Sequence, residues 1–210
     1  MLKICGIADI AFARVAAESG VDFLGFVFVP DSPRRVRPEK AARIGAAARA
    51  AAPIRPDRPL RTVGVFTPRP FGDILRDAEA AGLDVVQFHG RFPPEAAAAA
   101  KARGYETWLL DDGGDPRASP ADGILVDGAA GGRSGGTGTL ADWTRVAAIR
   151  AAGKKAILAG GLSAANIAAA AATGADVLDV NSSLETAPGV KSAERLFALL
   201  RACPSGVLPA

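Results

Sequence analysis

Residues 154–183 read KKAILAGGLSAANIAAAAATGADVLDVNSS. An apolar run of strand length, Ala156 to Ala159, leads through Gly160 and Gly161 into an Ala-rich amphipathic stretch from Ala164 to Ala172, and a second apolar run follows at Val177 to Val180. Two short strands joined by a helix long enough to serve as a crossover form a parallel βαβ unit. Both strands end in small and polar residues, Gly160-Gly161-Leu162 after the first and Asn181-Ser182-Ser183 after the second.

The same alternation runs back to the N-terminus. Strands are predicted at Lys3 to Cys5, Phe23 to Phe28, Thr62 to Phe66, Val85 to His89, Thr107 to Leu110 and Ile124 to Asp127, which with the two above makes eight. Helices are predicted at Asp9 to Ser19, Pro38 to Ala51, Phe71 to Ala81, Pro93 to Ala102, Ala141 to Ala151, Ala164 to Ala172 and Ser192 to Arg201. Between Asp111 and Asp122 the chain is rich in Gly, Pro and Asp, so the fifth helix is expected to be missing or reduced to a turn. Eight buried parallel strands in so short a chain call for closure into a (β/α)₈ TIM barrel. An open doubly wound sheet is the competing fold, but no Gly-x-Gly-x-x-Gly follows the first strand.

With 210 residues, 49% of them hydrophobic, the chain can build one sizeable core. Residues 1–202 are expected to form that one domain and 203–210, with two prolines and a glycine, a flexible tail. Mean hydropathy is +0.18, yet Gly, Asp or Arg interrupts every candidate before the roughly 18 apolar residues of a membrane span. No membrane association is expected, and the absence of a secretory pattern at the start points to the cytoplasm. Cys5 and Cys203 could form at most one bridge, and none is expected in a reducing compartment. The net charge of +3 raises the question of nucleic acid. Arg49, Arg55, Arg58 and Arg61 do cluster, but without interleaved aromatic residues, so no nucleic-acid partner is expected. Those arginines flank or lie within an insertion, Ala52 to Arg61, on the N-terminal face of the barrel, where solvated decoration is expected.

Barrel enzymes place their chemistry at the C-terminal ends of strands and in the following loops. That position selects Cys5, the Ser32-Pro33-Arg34 loop, His89, Asp127, Gly135-Gly136-Thr137-Gly138, Gly160-Gly161 and the segment Asp179 to Glu185. The loops after strands seven and eight stand where barrels commonly bind phosphate, with glycines that let backbone N–H groups come close. Read alone, each is also an ordinary turn. Cys5 is either an inert buried thiol or a base at the barrel mouth. Alternation puts Lys3 on its side of the strand, so an ammonium should stand one layer below the sulfur and favour thiolate. Such a lysine needs an anion, and Asp179 on neighbouring strand eight is the expected partner. Asp127 is a turn residue beside Gly128 or, partly desolvated, a proton donor. A cysteine base and an aspartic acid across a barrel mouth suit isomerisation of a phosphorylated sugar without a cofactor. His89, the only histidine, has no metal-ligand spacing to Cys or another His, so no metal is expected, and it serves either the substrate or a structural bond. Arg34 can hold a carboxylate bidentately or stand exposed like Arg35 and Arg37 beside it.

Taken together, Lys3-Ile4-Cys5-Gly6-Ile7, Gly25-Phe26-Val27-Phe28 with Ser32-Pro33-Arg34, Val63-Gly64-Val65-Phe66, Val86-Gln87-Phe88-His89-Gly90, Gly135 to Gly138 with Asp142-Trp143, Ala159-Gly160-Gly161-Leu162, and Asp179 to Glu185 with Pro188-Gly189 resemble the phosphoribosylanthranilate isomerase family, motif by motif and in order. The resemblance implies an Amadori rearrangement of N-(5′-phosphoribosyl)anthranilate in tryptophan biosynthesis. It implies Cys5 as general base, Asp127 as general acid, Arg34 on the anthranilate carboxylate, and phosphate against Gly160, Gly161, Asn181, Ser182 and Ser183. His89 and Asp179 complete the expected substrate shell. The reduced fifth helix is similar to the family too. Three positions depart from its pattern: Arg35, Thr139, and Ser183, where glycine is usual and a Cβ disfavours a positive φ. No cofactor is expected, and the chain is expected to be a monomer or weak homodimer. Isomerisation of the related histidine-pathway aminoaldose, alone or as a second activity, and binding of a phosphorylated ligand without turnover remain open alternatives. Enzymes of that histidine-pathway reaction place aspartate at the end of strand one, where this chain has Cys5.

Overall fold

The computed structural model describes residues 1–128 and 142–207. Strand β1 (Leu2–Ile4) pairs in parallel with β2 (Phe23–Val27) on one side and with β8 (Val177–Val180) on the other. Between them β3 (Arg61–Phe66), β4 (Val85–Phe88), β5 (Glu106–Leu110), β6 (Gly123–Asp127) and β7 (Lys155–Ala159) follow in sequence order, so the sheet is a closed eight-stranded barrel. The outer helices are α1 (Ile10–Glu18), α2 (Pro38–Ala51), α3 (Phe71–Ala80), α4 (Pro94–Lys101), α5 (Arg145–Ala151), α6 (Ile167–Ala172) and α7 (Ala193–Ala202). Where a helix between β5 and β6 would stand there is a single 3₁₀ turn, Pro116–Ala118, capped by the Asp115 carboxylate. Beyond β8 the chain adds a small antiparallel hairpin, β9 (Glu185–Ala187) and β10 (Val190–Lys191), which periodicity did not reveal because its strands are so short.

Period-two alternation sorts the strands into two cores. Leu2, Ile4, Leu24, Phe26, Val86, Phe88, Leu158, Leu178 and Val180 face outward and pack with the helices. Phe23, Val63, Val85, Trp108, Leu125, Ile157, Ala159 and Val177 fill the inside. Above these, at the C-terminal rim, Cys5, Val27 and Val65 form the top layer.

Four aspartates lock the opposite end. Asp22, Asp84, Asp122 and Asp176 each immediately precede or lead into an even-numbered strand, and each Oδ2 accepts the N–H of Leu2, Thr62, Thr107 or Ala156, respectively, on the preceding odd strand, at 2.6–2.9 Å. Three of them end a Gly-x-Asp triplet, at Gly20, Gly82 and Gly174. The barrel is thus stapled in pairs of strands, a repeat visible in the sequence once its hydrogen bonds are known.

The arginines of the insertion are not solvated decoration. Arg55 donates to the carbonyls of Gly20 and Val21, at 3.1 Å each, and Arg58 grips the carboxylate of Asp22 and the carbonyl of Val207. Arg61 pairs with Glu106, whose other oxygen accepts from Trp108 Nε1 and Lys155. Buried carbonyls and carboxylates at the barrel floor need donors, and the planar fork of arginine supplies several at once. Val207 also packs against the outer core; residues 208–210 lie outside the described residues. Among the described residues no helix is long and apolar enough to cross a membrane.

Candidate active site

The closed sheet brings strand ends that are distant in sequence around one opening. A cavity of roughly 360 Å³ there is lined by Cys5, Ser32, Arg34, Gln87, His89, Asp127, Gly160, Gly161, Asp179, Asn181 and Ser182, among others. Of the residues expected to serve as base, acid or substrate contact, Ser183 is the one that does not line it. Its hydroxyl donates to Leu162 O at 2.6 Å and so ties the loop after β8 to the loop after β7. Among the described residues only glycines have positive φ, so a serine is not strained at this position.

Cys5 continues β1 past Ile4 through a bond from its N–H to Val180 O, which aims the sulfur into the mouth. Gly25 on the adjacent strand makes room for it, since a Cβ there would lie 2.9 Å from Sγ and 3.1 Å from Lys3 Cε. Below the sulfur, Lys3 is fully buried and donates to Asp179 Oδ2 at 2.5 Å and to Gln87 Oε1 at 3.0 Å. Desolvation works against the ammonium, but the Asp179 and Cys5 charges outweigh it and hold Lys3 charged. Asp179 Oδ1 is buried with no partner among the described residues, and Asp179 is one of the residues that line the cavity.

Lys3 does pull the Cys5 thiol toward thiolate, as its place below the sulfur predicts, but that pull does not set the net direction. Burial pushes the thiol up, and the pull of Lys3 does not overcome it, because Asp179 sits on the same ammonium and adds to the rise. Lys191 works in the same downward direction as Lys3. A thiol held up is ionised to a small extent near neutrality but is a stronger base once ionised.

Asp127 closes β6 opposite, in register with Ala159 on β7. Gly160 permits that approach: its φ is +85°, and a Cβ would collide with Gly128 N and stand 2.8 Å from Asp127 Oδ1. Gly161 follows at φ +71°, so the turn out of β7 presents backbone to the cavity.

Arg34 is the one of three neighbouring arginines that turns inward, while Arg35 and Arg37 are exposed. Its Nε and Nη2 donate to the two oxygens of Glu185 at 2.8 and 2.6 Å. Glu185 is buried and also accepts from Lys191 Nζ at 2.9 Å, and Lys191 donates in turn to Asn181 O and Oδ1 at 2.9 and 2.8 Å. Desolvation raises the Glu185 carboxyl, but Arg34 and Lys191 outweigh it and hold it below the usual range.

The family profile described as "N-(5'phosphoribosyl)anthranilate (PRA) isomerase" matches residues 2–202. This chain belongs to that isomerase family. It is 38% identical over 205 residues to the N-(5′-phosphoribosyl)anthranilate isomerase of Pelobacter propionicus, covering 95% of this chain and 93% of that one. The crystal structure of phosphoribosyl anthranilate isomerase from Thermus thermophilus superimposes with a TM-score of 0.80 at 37% identity, covering 96% of each chain. A further structure of a phosphoribosyl anthranilate isomerase, in complex with reduced 1-(o-carboxyphenylamino)-1-deoxyribulose 5-phosphate, gives 0.77 at 28% identity, again over 96% of each chain.

Within this isomerase barrel, sequence reasoning passed over Gln87, Glu185 as a partner of Arg34, and Lys191. Alternation from His89 was the available signal for Gln87, whereas nothing local links Arg34 to a residue 151 positions away. Gly135 to Gly138, Thr139 and Ala141 lie outside the described residues.

Proposed function

We propose that this chain isomerises N-(5′-phosphoribosyl)anthranilate to 1-(o-carboxyphenylamino)-1-deoxyribulose 5-phosphate, in tryptophan biosynthesis. The observation that carries the reading is the meeting of Cys5, Asp127 and Arg34 around one cavity whose wall also includes Gly160-Gly161 and Asn181-Ser182. It is a cofactor-free acid and base reaction. Asp127 gives its proton to the furanose ring oxygen; the C1′–O bond breaks as the nitrogen lone pair forms a protonated Schiff base. Cys5, as thiolate, takes the proton from C2′, and the electrons of that C–H bond become the C1′–C2′ double bond, neutralising the nitrogen. The resulting enolamine moves its hydroxyl proton to C1′, giving the aminoketose.

Arg34 receives the anthranilate carboxylate, and the phosphate rests against Gly160, Gly161, Asn181 and Ser182, with Ser183 holding the two loops together. Asp179 and His89, both in the cavity wall, face the sugar and the aryl group between these ends. Residues 1–202 form the catalytic barrel and 203–210 a terminal tail; the protein acts in the cytoplasm as a monomer or weak homodimer. Steady-state turnover of phosphoribosylanthranilate by the purified chain tests the activity. Aminoketose formation is expected; a folded chain that binds the substrate without converting it contradicts the reading.

A further inference from the structure

A positively charged residue meant to receive a substrate carboxylate is normally weakened by a carboxylate of the protein placed on it. Here Arg34 carries one permanently, bound bidentately and buried. The buried cation Lys191 accounts for this arrangement, because it binds the same Glu185 oxygen that accepts from Arg34 Nε. Two cations and one anion leave a single positive charge. Glu185 uses the Nε–Nη2 edge of the guanidinium, and the Nη1–Nη2 edge has no acceptor among the described residues. The fork is therefore held in one orientation with its remaining bidentate edge unused and its charge restored from behind. Both Glu185 and Lys191 come from the β9–β10 hairpin, and Lys191 is tied to the loop after β8 through Asn181, so the hairpin has a reason to be there.

We propose that Glu185 and Lys191 are a charge-balanced clamp that positions Arg34 for the ortho-carboxylate of the substrate, and thereby sets specificity for an acidic aryl amine. This rests on the reading that Arg34 receives that carboxylate. Glu185 and Lys191 are positioning residues, acting through Arg34. An amide in place of the Glu185 carboxylate turns one acceptor into a donor that opposes Arg34, and loss of Lys191 leaves Glu185 to neutralise the fork.

The test is steady-state kinetics of the full chain with phosphoribosylanthranilate, with folding of each variant checked by circular dichroism. Glu185→Gln should raise KM about tenfold, the loss of one charge-assisted hydrogen bond, with kcat within about threefold of the parent. In an Arg34→Ala background the same change should alter KM by less than about twofold, because the group it positions is gone. Lys191→Met should raise KM more than Glu185→Gln, and the double variant Lys191→Met/Glu185→Gln should recover toward the Glu185→Gln value as the charge returns to one. Equal KM effects of Glu185→Gln with and without Arg34, or multiplicative losses in the double variant, would overturn the clamp. Should Glu185→Gln not fold, Glu185→Asp, which keeps the charge but is one methylene too short to span both nitrogens, must show the same dependence on Arg34, and a normal KM in it refutes the proposal. An unchanged KM in Arg34→Ala alone would instead overturn the carboxylate reading beneath it.

Discussion

Lys3→Met removes the cation from a buried ion pair and leaves the Asp179 carboxylate in the barrel interior without its hydrogen-bonded cation. Breaking one partner of such a pair typically costs about 3–5 kcal/mol, because the surviving charge stays desolvated. The cost has an outlet: burial first, and then the Asp127 charge, already push the Asp179 carboxyl up, and Lys3 is the main influence holding it down. Without Lys3 the carboxyl rises further and takes a proton. The folded variant then binds a proton that the unfolded chain has lost above about pH 4, so its stability falls as pH rises from there through the raised folded value. Urea denaturation of wild type and Lys3→Met at pH 5.5 and pH 8 should show a deficit that is smaller at the acid pH. Replacing both partners, as Lys3→Met/Asp179→Leu, should recover most of the loss, since two apolar groups leave nothing unpaired. A deficit independent of pH, or a double variant less stable than the single one, would refute the claim that an orphaned carboxylate is what Lys3→Met exposes. The single variant also tests the coupling to chemistry: with the ammonium gone the Cys5 thiol should titrate higher still, moving the rise of kcat/KM to higher pH.

Asp176→Ala unstaples β7 from β8 at the barrel floor, leaving the Ala156 N–H without its acceptor, and should cost about 1–3 kcal/mol in denaturant titration while leaving kcat near the wild-type value. Asp127→Asn keeps the shape of the acid and removes its proton, and a loss of about 10²–10⁴-fold in kcat is expected from rapid-quench or steady-state assays, with KM little changed.

The eight strands and the reduced fifth helix were legible in the sequence because every barrel strand carries its own apolar signal and the Pro116 region carries none. Cys5, Asp127 and Arg34 were legible as strand-end and loop residues before any geometry was known, since barrel topology alone says which ends converge. What escaped was everything that depends on long-range pairing. Arg55 and Arg58 read as surface charge, yet they satisfy carbonyls and a carboxylate at the barrel floor. The Gly-x-Asp staples look like turn residues until the backbone donors one strand away are seen. The net direction at Cys5 was out of reach for a related reason. A lysine below the sulfur was foreseen, and so was its aspartate, but which of burial and charge wins depends on the depth of the sulfur, which sequence does not state.

In the proposed reaction the Cys5 thiolate takes the proton from C2′. Single-turnover kinetics of Cys5→Ala with phosphoribosylanthranilate tests it directly: the variant should bind substrate normally and lose at least about 10²-fold in the chemical step, the lower end of a positioned base's contribution. Turnover at the wild-type rate in Cys5→Ala would contradict the account.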